Sequence, residues 1–91
     1  MMNLKELCII TGTELEYGLT NTTPEKVHVS IKRGDIRVGQ SCSGSAVAFG
    51  STVAIAEKHL AWKLRRQILM VDNHNGFGAR EYRIPETLVA H

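Results

Sequence analysis

The chain predicts a single α+β domain over residues 1–91: an antiparallel sheet of four to five strands with one long helix packed on it. Three observations predict it. Apolar and polar residues alternate over Lys26–Lys32 and Ala79–Ile84, the period of a half-buried strand. Gly, Asn and Pro punctuate the chain at short intervals, as turns between strands require. From Val53 onward, Val53, Ala56, Leu60, Leu64, Ile68 and Val71 fall on one stripe at helical spacing.

Taken in order, Leu7–Thr11 is a short β-branched run that reads as a buried strand, with Gly12 closing a tight hairpin. Thr13–Leu19 alternates Leu15, Tyr17 and Leu19 against Glu14, Glu16 and Gly18, a strand with a wet acidic face. Asn21-Thr22-Thr23-Pro24 is turn chemistry. The next strand, Lys26–Lys32, turns Val27, Val29 and Ile31 inward and His28 and Ser30 outward. Gly34-Asp35 fits a two-residue hairpin, after which Ile36 and Val38 open a strand that runs on through Ala46–Phe49.

Gly50-Ser51 admits two readings across residues 44–56: a further hairpin, or a break before a helix capped by Ser51 or Thr52. The helix is the preferred one, with its cations toward the C-terminal half, where the helix dipole favours them. In the hairpin reading the helix starts near Glu57. Asn73–Gly78 ends it, Ala79–Ile84 is the last strand, and Pro85 stops that strand before a short terminal turn.

With 43% hydrophobic and 22% charged residues the composition is that of a folded globular chain, which excludes disorder. Ninety-one residues allow one modest core, burying about 60–65% of the unfolded chain's surface, so a homo-oligomer that shares apolar surface is expected. The two cysteines, Cys8 and Cys42, form no CxxC pair and read as reduced thiols of a cytoplasmic protein. The uncharged run Val38–Ala56 is too rich in Gly, Ser, Thr and Gln for a membrane span.

Charge is unevenly placed. Residues 31–66 hold seven Lys/Arg against Asp35 and Glu57, whereas residues 1–30 hold Lys5 and Lys26 against four Glu. The basic middle contains the candidate site. On the helix face opposite the apolar stripe lie Lys58, His59, Trp62, Lys63, Arg65 and Arg66. Residues three and four apart are neighbours on a helix, so Trp62 is ringed by cations. Such a plate suits an acidic protein surface or a nucleic acid. The plainer alternative is that Trp62 packs on a neighbouring element while the basic stems pass over it.

No other motif rises to a site. Ser41–Ser45 is a Ser/Gly run without the Gly-Lys-Ser/Thr of a phosphate loop or the spacing of a nucleophile elbow. His28, His59, His74 and His91 show no ligand spacing, so neither metal nor cofactor is expected. No catalytic residues stand out. The sequence therefore suggests a non-enzymatic binding or regulatory protein that meets a protein partner, self or foreign, through this helix. Nucleic acid binding by the same face is the alternative.

Overall fold

The chain is described by a computed structural model that covers residues 1–20, 26–38, 42–72 and 79–91. The expected turn at Asn21–Pro24 and the stop at Asn73–Gly78 lie outside the described residues.

The expected strand at Leu7–Thr11 is instead part of a helix, α1 (Leu4–Thr11). Its start is fixed by a reciprocal cap. Asn3 Oδ1 accepts from the Glu6 backbone N–H at 2.8 Å, and Glu6 Oε1 accepts from the Asn3 N–H at 3.3 Å. Gly12 is not a hairpin turn. It ends α1 in the left-handed region (φ 71), which glycine enters without a Cβ penalty. Leu4, Leu7, Cys8 and Thr11 repeat at helical spacing and are buried, while Ile9 and Ile10 face outward.

Among the described residues five strands form one antiparallel sheet: β1 (Leu15–Leu19), β2 (Val27–Val38), β3 (Cys42–Gly50), β4 (Ile68–Asp72) and β5 (Ala79–Arg83). The expected hairpin at Gly34-Asp35 does not occur; β2 runs straight through it. Arg33 takes a positive φ of 58, and the register against β3 shifts between Ser30 and Asp35. That irregularity bends β2 and divides one of its edges. β1 pairs along Val27–Ile31, β4 pairs along Gly34–Ile36, and β3 lines the opposite edge. In β1 the expected alternation holds only at its start, since Leu19 is 81% exposed and Tyr17 52%.

The helix reading of residues 44–56 holds from Thr52 onward. Thr52 Oγ1 accepts from the Ile55 N–H at 3.2 Å and opens α2 (Val53–Leu64). The helix is shorter than the stripe suggests. Arg65 is extended and Arg66 has φ 66, so Ile68 and Val71 belong to β4. Val53 is exposed at the helix start, and Ala56, Leu60, Ala61 and Leu64 carry the buried face.

After β5 the chain turns at Glu86-Thr87, buries Leu88 and lays Val89 beside Asn3 in a parallel bridge. The core joins Leu4 and Leu7 of α1, Val29 and Ile31 of β2, the α2 face and Leu69, Ile84 and Leu88. Among the described residues no helix is long and apolar enough to cross a membrane.

Candidate functional site

The six basic-helix residues do not form one surface. Lys58, His59 and Trp62 stay together on the outer side of α2. Lys58 Nζ stands 4.9 Å from the Trp62 ring centroid, and the His59 ring tilts against it at 6.1 Å. Trp62 is 52% exposed, and Ile55, two turns earlier on the same side, is also exposed. Trp62 is thus half in water and half covered, with the Lys58 ammonium over its ring.

The other three, Lys63, Arg65 and Arg66, bond within the chain. Lys63 Nζ donates to the Val47 carbonyl at 2.9 Å, and His59 of the outer face also donates from Nδ1 to the Phe49 carbonyl at 2.7 Å. Val47 and Phe49 are two apart in β3, so their carbonyls point the same way. β3 pairs only with β2 among the described strands, and its other edge is where these bonds fall. An open edge is a template for pairing with another chain, and the two α2 side chains cover part of it. Beyond the helix, Arg65 Nε donates to the Leu88 carbonyl at 2.8 Å, and Arg66 pairs with Glu86 at 2.9 Å. These two arginines hold the segment after β5 against the end of α2.

Of the remaining candidates, His28 meets the Phe49 ring edge-on at 6.1 Å, on the sheet row Gly18–His28–Phe49. His91 pairs with Glu57. His74, Ser41 and the Cys42 side chain lie outside the described part. Among the described residues no three His, Cys, Asp or Glu converge as a metal-ligand set.

The sequence reading missed a second place altogether. α1, the start of β1, Glu57 of α2 and the segment after β5 line an open cleft of about 380 Å³. Glu57 is a carboxylate on the buried side of α2, 8% exposed. Tyr17 Oη donates to its Oε2 at 2.8 Å, and His91 Nε2 donates to its Oε1 at 3.0 Å. The signal was present: Glu57 stands three and four residues before Leu60 and Ala61, within the apolar stripe.

Two groups in this cleft, Tyr17 and Cys8, hold their protons more tightly than usual. Burial pushes the Tyr17 phenol up to about 12, aided by the hydrogen bond to Glu57 and the Glu57 charge. Burial also pushes the Cys8 thiol up, and the Glu14 charge adds to the rise against a lowering contact from Thr13. Both groups keep their protons more tightly in the folded state. Their contribution to stability is therefore complete below their ordinary values and is lost as pH rises, above 9.0 for Cys8 and from 10.0 to about 12 for Tyr17. Urea midpoints should accordingly fall between pH 9 and 12. At pH 8 iodoacetamide should alkylate Cys8 at least about tenfold faster in urea than in the native protein, followed by peptide mass to separate it from Cys42. Equal rates would mean the thiol is neither buried nor shifted.

Comparison with known proteins gives no relative: no family model matches the chain, and no curated protein and no solved structure matches it significantly.

Proposed function

We propose that this chain is a small non-enzymatic binding protein of the cytoplasm that docks a protein partner, a second copy included, on the α2 face of Lys58, His59 and Trp62. The observation that carries the reading is the sole tryptophan, half exposed beside a cation and an imidazole. A large aromatic left in water is costly for a small domain unless a partner covers it, and Trp is a frequent interface anchor. Ile55, two turns earlier, extends the apolar strip, and Lys58 suits a partner with an acidic residue beside an apolar insert. Nucleic acid is the weaker reading, because Lys63, Arg65 and Arg66 already bond within the fold.

Trp62 supplies its own readout, since no other tryptophan contributes emission. The partner, or the concentrated protein if it self-associates, should blue-shift Trp62 emission and protect it from iodide. Trp62→Ala should weaken that association by about 30-fold or more. The reading fails if sedimentation shows a monomer at all concentrations and affinity purification retains nothing that Trp62→Ala releases. Polyanion binding that weakens steeply with salt would favour nucleic acid instead.

A further inference from the structure

The Glu57 cleft is separate from the Trp62 face and has the makings of a ligand site. Leu4, Ile9, Leu15 and Ala90 give it apolar walls, and its volume of about 380 Å³ lies at the small end of ligand pockets. Of its two lining carboxylates one, Glu57, has a side chain only 10% exposed. A carboxylate held out of water needs a cation or strong donors. Tyr17 satisfies Oε2 with a neutral hydroxyl. Oε1 is met by His91, whose side chain is 74% exposed and which carries charge only when protonated. One of the two donors to a nearly buried carboxylate is thus a side chain that lies mostly in solvent and can swing away. Lys5 and Glu14 also line the cleft and are exposed, and Glu14 is taken by Lys32 at 3.2 Å, so Lys5 leaves this side slightly positive and the preference for a cation rests on Glu57 alone.

We propose that this cleft binds a small organic cation, an ammonium group on an apolar body, with the ammonium displacing His91 from Glu57 Oε1. The ligand's apolar body would lie along Leu4, Ile9 and Leu15. Its ammonium has three donors: one serves Oε1, a second can reach a lone pair of the Tyr17 oxygen, and the third faces solvent. A neutral head would forgo the charge-assisted bond, and an anionic head would be repelled by Glu57.

Three probes with one body and different heads test this: hexylamine, hexanol and hexanoate, each titrated into the full isotope-labelled chain and followed by amide chemical shifts. Hexylamine should shift Leu15, Tyr17 and Ala90 saturably, with hexanol at least about tenfold weaker and hexanoate weaker still. Glu57→Gln should reduce hexylamine to the affinity of hexanol. His91→Ala, a change at an exposed side chain, should strengthen hexylamine binding severalfold by removing the competitor. Equal affinity for the three heads, no saturable shift with the amine, or weaker amine binding in His91→Ala would each overturn the proposal. If Glu57→Gln does not fold, the head-group series and His91→Ala decide the matter on the native fold.

Discussion

Leu60→Ala should destabilise the protein by about 2–5 kcal/mol, whereas Trp62→Ala, two residues further along the same helix, should cost about 1 kcal/mol or less. Leu60 is 0% exposed, at the centre of the α2 face that meets the sheet, and its removal leaves a cavity among groups that cannot all collapse. A chain of 91 residues is stable by roughly 5–14 kcal/mol, so the loss is a large share of the total. It should lower Tm by at least roughly 8 °C. Trp62 lies on the opposite side of α2, half in water, against Lys58 and His59. Urea unfolding of the two variants measures the contrast directly. If Trp62→Ala costs as much as Leu60→Ala, Trp62 belongs to the core, and the proposed docking face falls with it.

That contrast shows where sequence periodicity was informative and where it was not. The stripe through Ala56, Leu60 and Leu64 is legible because three consecutive turns repeat it and Thr52 supplies a cap. Its false extension to Ile68 and Val71 is a coincidence of spacing, since the two lie on opposite faces of β4, and the break rests on Arg66 at φ 66, where no glycine marks it. α1 is lost to a window that begins at Leu7. The Asn3–Glu6 cap and the spacing Leu4–Leu7–Cys8–Thr11 appear only when the preceding residues are included. Gly34-Asp35 carries turn chemistry equally suited to a hairpin or a bulge. The pairing of β2 with β3 on both sides of the shift, and with β4 along Gly34–Ile36, decides for the bulge, and the β4 contact spans more than a third of the chain.

The candidate site was legible in the same partial way. Helical spacing places Lys58, His59 and Trp62 together without any tertiary information. It cannot show that Lys63 reaches the Val47 carbonyl or that Arg65 and Arg66 hold the segment after β5. Those contacts depend on which strand forms the edge and on where the helix ends. The role of Glu57 likewise depends on Tyr17 and His91, which are 40 and 34 residues away in sequence.

Gly50→Ala should be destabilising by about 1–3 kcal/mol, although strand propensity alone predicts a gain of roughly 0.5–1 kcal/mol from replacing a glycine in β3. The sign is decided by what the new methyl meets. A Cβ at Gly50 would lie 2.5 Å from the Ala56 backbone nitrogen, 3.0 Å from its Cα and 2.9 Å from Ile55 Cγ2. The first distance is about 1 Å short of ordinary contact, and backbone in the first turn of α2 cannot rotate away. The helix start must lift off the sheet, which strains the His59 bond to the neighbouring Phe49 carbonyl and tilts the Lys58–Trp62 face. Gly18→Ala is the instructive control. Its Cβ would approach the His28 ring even more closely, but that ring is the far end of a half-exposed side chain and can swing out. The nearer clash should therefore be the cheaper one, costing about 1 kcal/mol or less and losing the His28–Phe49 contact. Urea midpoints and Trp62 emission of both variants distinguish the outcomes. A stabilised Gly50→Ala with unchanged emission would show that α2 does not approach β3 as closely as this contact requires.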